Sequence, residues 1–154
     1  MGIEPELYDA LGASLEDLGT LTCRVTARHT IAGAPFGTRV IIDVTDLRIE
    51  GDRFTAVGAQ DLFSDWGTMG DGAVFEIDVR AALRTEDEDP ALVYVEYHGR
   101  VDFSDPAGPG PLLAAGRFQT GDPRYAWLNT VQAVFKGRTM RDTGTVAYRV
   151  YALR

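Results

Sequence analysis

Strict alternation of apolar and polar positions dominates the chain after Leu18. Phe75, Ile77, Val79, Ala81 and Leu83 alternate with Glu76, Asp78, Arg80, Ala82 and Arg84. Val93, Val95 and Tyr97 alternate with Tyr94, Glu96 and His98. A period of two places each set on one face of a strand. The same rhythm runs through Leu21, Cys23, Val25, Ala27 and His29, through Val40, Ile42 and Val44, and more weakly between Phe54 and Trp66. Two further strands are predicted over roughly 130–136 and 145–153. Turn chemistry separates them: Asp46 and Gly51, the glycine-rich stretch 67–72, the acidic run Glu86-Asp87-Glu88-Asp89 and the Pro/Gly segment 105–111. Many short strands with regular turn signals predict an all-β fold. A meander of hairpins favours a single closed antiparallel barrel, because closure removes edge strands.

Before this pattern, Leu7, Leu11, Leu15 and Leu18 recur at helical spacing behind Pro5. They predict a short amphipathic helix that packs over a barrel end or acts as a lid or dimer arm. The expected organisation is a helical extension over 1–17 and one barrel domain over 18–154. A chain of 154 residues suits one domain with a real core.

Composition narrows the partners. With 15 Lys and Arg against 23 Asp and Glu, the net charge is −8, which argues against nucleic acid. No apolar run is long enough for a membrane helix, and the first residues lack a signal-peptide pattern, so no membrane partner is expected. Cys23 is the single cysteine, which excludes an internal disulfide and makes a cytoplasmic location the default expectation.

Motif absences remove whole mechanisms. The chain has no phosphate-binding loop, no dinucleotide fingerprint and no nucleophile elbow. His29 and His98 are the only histidines, and neither has a partner at metal-ligand spacing. Asp61, Asp65, Asp71 and Asp78 match no calcium loop. No metal and no cofactor are expected.

The ordered set of motifs resembles the DUF3237 (UPF0311) family of bacterial and fungal proteins. Its pieces are Gly37 to Thr45 with Ile49-Glu50-Gly51, then Asp65-Trp66, then Asp71 to Arg80. Ala82 to Thr85, Ala91 to Val95 with Gly99, and finally Arg117 to Asn129 complete it. The resemblance implies a lipocalin-like, calycin-type barrel and says little about activity. Gln119 stands where the family usually has Glu, so a general base at that position would be missing here. Glu96 stands where the family often has Arg. The loop over 105–111 looks shorter than usual, and the N-terminal helix looks like an extension.

Candidate chemistry concentrates on the two central strands. Asp78, Arg80, Tyr94, Glu96 and His98 share one side of the hairpin, where opposite charges can pair. In one reading this side faces water, and its pairs contribute roughly 0–1 kcal/mol each. In the other it lines an interior pocket, and the apolar side is covered by helix, loops or a second subunit of a homodimer. Buried there, Arg80 needs a carboxylate or an anionic ligand. Asp78, Glu96 and His98 are then the catalytic candidates, as movers of protons. Arg80 and Tyr94 hold or polarise a substrate. Trp66, Phe118, Gln119, Tyr125, Trp127 and Asn129 complete the substrate-binding set. Tyr125 and Trp127, two residues apart, are expected to share a strand face and to stack on a flat ligand. Each aromatic has the alternative of being core, Asn129 of bracing a turn, and His29 of being a hydrogen-bonded core residue.

Acid and base groups on one barrel face, with no cofactor motif, point to a cofactor-independent enzyme. It would act on a small, partly apolar, carbonyl-bearing metabolite by proton transfer, as an isomerase, cyclase or lyase. The alternative is a lipocalin-like carrier that binds the same small molecule without turnover. A structural dimer module is a third reading and predicts no pocket.

Overall fold

The computed structural model describes residue 2 and residues 4–154. Nine strand segments follow a short helix: α1 Pro5–Ala10, then β1 Leu15–Ile31, β2 Thr38–Glu50, β3 Thr55–Gly58, β4 Phe63–Met69, β5 Val74–Thr85, β6 Leu92–Asp102, β7 Leu112–Gln119, β8 Gln132–Met140 and β9 Thr145–Leu153. Every pairing is antiparallel. Segments β3 and β4 share the space between β2 and β5, and β1 pairs with both β2 and β9, so the sheet closes as an eight-stave barrel.

The apolar face of the central hairpin is the inside. Phe75, Ile77, Val79, Ala81 and Leu83 of β5 and Val93, Val95 and Tyr97 of β6 are all buried. Transfer of such side chains out of water contributes roughly 1.5–3 kcal/mol each, whereas burying the charged side would leave ions to be paired. The hydrophobic term wins, and the charged side faces outward.

Two shifts of register change which residues face inward. Asp46, at φ 55°, lies where β2 uses three residues against two of β1, so its inward set moves from Val40, Ile42 and Val44 to Leu47 and Ile49. A second shift, between Val25 and Ala27 of β1, puts Arg28 opposite the inward Ile42 and His29 opposite Ile41. The expected alternation through Ala27 and His29 therefore breaks, since bulges reset the period-two rule. His29 is exposed, and its Nε2 lies 2.8 Å from Asp43 Oδ2.

The N-terminal helix is shorter than its leucine spacing predicts. Leu15 and Leu18 belong to β1, and no residue of α1 is buried. The helix and strand periods coincide at few positions, and pairing of Leu15 with Leu153 extends the barrel instead. Gly19 permits this entry: at φ 127°, an added Cβ would lie 2.0 Å from the Glu50 carbonyl oxygen. Strand β7 is absent from the predicted set because its sequence, LLAAGRFQ, alternates weakly.

The barrel has one closed end and one open end. Phe54, from the β2–β3 turn, sits within 6.3 Å of the ring centroids of Phe118, Tyr125 and Trp127 and closes one end. At the other end lie the β1–β2, β4–β5, β6–β7 and β8–β9 connections. Among the described residues, no helix is long and apolar enough to cross a membrane.

Candidate active site

A cavity of about 600 Å³ enters the barrel from the open end. That volume lies within the roughly 300–1,000 Å³ typical of small-molecule sites. Val25, Val40, Ile42, Phe75, Ile77, Val79 and Val146 give it apolar walls, and the β6–β7 loop contributes Phe103 and Pro109 at its rim.

Four side chains with protons to exchange reach this interior: Asp65, Cys23, Tyr97 and Tyr148. Asp65 is in phase with the buried Phe63 on β4, which aims its carboxyl inward. The backbone N–H of Asp78 donates to Asp65 Oδ1 at 2.9 Å. Burial pushes the Asp65 carboxyl up to about 6, and the neighbouring Asp78 charge pushes in the same direction against that hydrogen bond. Asp65 therefore exchanges its proton close to neutrality.

The rings of Tyr97 and Tyr148 meet edge to face, with centroids 5.5 Å apart. Burial raises both phenols well above their ordinary value, so both stay protonated and act as hydrogen-bond donors. Both residues line the cavity, where the Tyr148 hydroxyl can meet a ligand. Burial, followed by the Asp65 charge, pushes the Cys23 thiol up to about 12, which keeps it from acting as a nucleophile at neutral pH.

The predicted catalytic residues stand on the other side of the wall. Asp78, Arg80, Tyr94, Glu96 and His98 project from the outer surface of β5 and β6, which corrects the interior placement entertained for them. Side chains of Arg80 and His98 are 60% and 55% exposed. Glu96 is the centre of an ionic cluster: Tyr94 donates to its Oε2 at 2.5 Å, Arg117 donates to its Oε1 at 2.6 Å, and Arg80 Nε lies at 3.8 Å. The Tyr94 hydroxyl, then Arg117, hold the Glu96 carboxyl below its usual range, the reverse of what a base near neutrality requires. Asp78 Oδ1 is shielded and lacks a hydrogen bond, although His98 Nδ1 lies 3.4 Å away.

The predicted substrate-binding aromatics are also divided. Trp66 lies on the outer face, half exposed, with its carbonyl accepting from Arg39. Phe118 and Tyr125 are buried in the closed end, and the Tyr125 hydroxyl donates to Asp87 Oδ2 at 2.5 Å. Trp127 lies beneath the Arg53 guanidinium, 3.5 Å from its ring centroid. Pro123–Thr130 is a 3-10 segment, begun by Asp122 accepting from the Arg124 N–H, so Tyr125 and Trp127 do not share a strand face. Gln119 is exposed at the end of β7. Asn129 accepts from the Thr120 N–H at 2.8 Å and donates to the Thr120 carbonyl at 3.0 Å, which braces the loop. None of these residues lines the cavity.

Sequence reasoning passed over the interior set. The available signal was phase: a titratable residue in step with inward apolar neighbours, as Tyr97 is with Val93 and Val95. Among the described residues, no three His, Cys, Asp or Glu side chains converge as a metal site requires.

Solved structures with the same barrel come from distant organisms. A beta-barrel-like protein from Acinetobacter baumannii is 24% identical, with a TM-score of 0.80 over 93% of this chain and 97% of that one. A conserved protein of unknown function from Rhodopseudomonas palustris is 21% identical, with a TM-score of 0.79 over 93% and 99% of the two chains. An enzyme from Penicillium herquei is 18% identical, with a TM-score of 0.72 over the full length of both chains. At these identities the likeness establishes the fold alone. No curated protein matches the sequence. The model of the family described as "Protein of unknown function (DUF3237)" matches residues 13–153, and the chain belongs to that family.

Proposed function

We propose that the protein is a cofactor-independent enzyme that moves a proton on a partly apolar, carbonyl-bearing metabolite held inside the barrel. The observation that carries this reading is Asp65: a carboxyl raised to about 6 inside an apolar cavity, beside the phenols of Tyr97 and Tyr148. A general base works best when its pKa lies near the working pH and water is excluded. Above pH 6 the Asp65 carboxylate takes a proton from carbon next to the substrate carbonyl. The Tyr148 hydroxyl donates to the carbonyl oxygen as negative charge develops there, and Tyr97 steadies Tyr148. Return of the proton to another atom gives an isomer. Expulsion of a leaving group, or attack by the enolate within the same molecule, gives lyase or cyclase chemistry. The enzyme from Penicillium herquei, on the same fold, is consistent with catalysis in such a barrel.

A carrier is the second reading. The largely apolar walls of the cavity suit retention of a ligand without turnover. Incubation of the purified protein with a metabolite extract of its host, followed by mass spectrometry over time, separates the two. An enzyme depletes one species far beyond protein stoichiometry while a new mass appears. A carrier stops at about one equivalent.

A further inference from the structure

We infer that the ligand is an organic acid, bound with its apolar body in the barrel and its anionic group at the open end. This rests on the cavity being the working site, as proposed above, but not on its catalysing a reaction.

The inference comes from where charge sits along the cavity. Arg28, Arg138 and Arg141 contribute to its outer lining. Arg28 reaches this position through the register shift in β1, which sets it opposite the inward Ile42. Arg141 stands at the start of the β8–β9 turn, and that turn is fastened to β1 by the Val25 N–H donating to the Gly144 carbonyl at 2.9 Å. The two cations therefore belong to one side of the mouth. Among the described residues, none of these three arginines has a carboxylate within ion-pair distance; Arg39, Arg84 and Arg100 also lack one but stand outside this cavity, and the remaining eight arginines are paired.

A chain with net charge −8 has carboxylates in excess, and leaving these arginines unpaired beside an apolar opening provides a receptor for an anion. The inner end has the opposite preference. Among the described residues, Asp65 is the only carboxyl lining the cavity, and a bound anion beside it would meet a like charge in a poorly solvated space. The gradient fixes orientation: anion outward, reacting carbonyl inward toward Asp65 and Tyr148.

The test uses 1-pyrenebutyric acid and its methyl ester, which share a flat fluorescent body and differ by one charge. Both are titrated at pH 7.5 into the wild-type protein and the Arg28→Gln/Arg141→Gln double variant. Both substituted side chains are exposed, so an unchanged Tm serves as the folding control. The expected result is that the wild type binds the acid at least tenfold more tightly than the ester. The double variant loses that preference and keeps its affinity for the ester. Equal wild-type affinity for acid and ester, an unaltered preference in the double variant, or no binding of either probe overturns the inference. Failure here leaves Asp65 chemistry standing, and it is distinguishable from failure of the enzymatic reading, which shows as stoichiometric depletion despite an intact preference for the acid.

Discussion

Asp65 and Asp78 are joined through the barrel wall: the Asp78 backbone N–H donates to Asp65 Oδ1 at 2.9 Å, while the Asp78 side chain points outward. One carboxyl is thus held in an apolar interior by the backbone of a residue whose own carboxyl lies on the outer face beside His98. Its raised pKa is a stability statement. The folded state binds the Asp65 proton more tightly than the unfolded chain does between the ordinary value of 3.8 and about 6. Stability therefore falls as pH rises through that window and stays reduced above it. Asp65→Asn keeps an oxygen for the Asp78 N–H and removes the charge. Its expected stability gain is up to about 3 kcal/mol above pH 7, vanishing toward pH 4. Urea denaturation of both proteins across pH 4–8 measures it; a pH-independent difference would contradict the assigned burial of this carboxyl.

Tyr148 is expected to separate chemistry from packing. Tyr148→Phe keeps the ring against Tyr97 and Phe135 but removes the hydroxyl. Turnover should fall about 10²-fold, the usual effect of deleting one donor to a developing oxyanion, with ligand affinity little changed. Steady-state kinetics on the species identified from the extract would show this as a loss in kcat. A rise in KM alone would assign Tyr148 to binding.

The outer cluster should contribute little to activity. Glu96→Gln and His98→Gln alter side chains of the outer wall, Glu96 held by Tyr94 and Arg117 and His98 beside Asp78, outside the cavity. Neither side chain reaches the cavity, and both variants should turn over substrate within about twofold of wild type. A loss of orders of magnitude in either would return the chemistry to the outer wall.

The closed end depends on Phe54. Its ring meets Phe118, Tyr125 and Trp127, so Phe54→Ala removes the shared partner of three aromatics. A cost of about 3–5 kcal/mol is expected, read from chemical denaturation. A cost under 1 kcal/mol would show that the closed end is held by the 3-10 segment alone.

The fold was legible because period-two alternation over β5 and β6 runs unbroken and its turns carry their usual residues. Which face of these strands is inside stayed open in the sequence, because opposite charges on the polar side can pair; burial of Phe75, Ile77 and Val79 decides it in the fold. The site was less legible. Bulges at Asp46 and after Val25 reverse the facing of residues downstream, and no local signal marks them. Thus His29 reads as core although it is exposed, and Arg28, on the polar side of the pattern, stands at the cavity mouth. Asp65 does not stand out as inward-facing because its strand is short and its apolar partner Phe63 lies two positions away in a weak pattern. The Tyr125–Trp127 spacing matches a strand, and only the Asp122 side chain capping the segment that Pro123 opens makes it 3-10.

The most direct test compares Asp65→Asn with Asp78→Asn on the species that the wild-type protein depletes from host extract. The two residues are neighbours through one hydrogen bond, yet only one opens to the cavity. Asp65→Asn should lose at least 10³-fold in turnover while still binding one equivalent, and Asp78→Asn should stay near wild type. Retained turnover in Asp65→Asn, or an equal loss in both variants, would contradict a reaction centred inside the barrel.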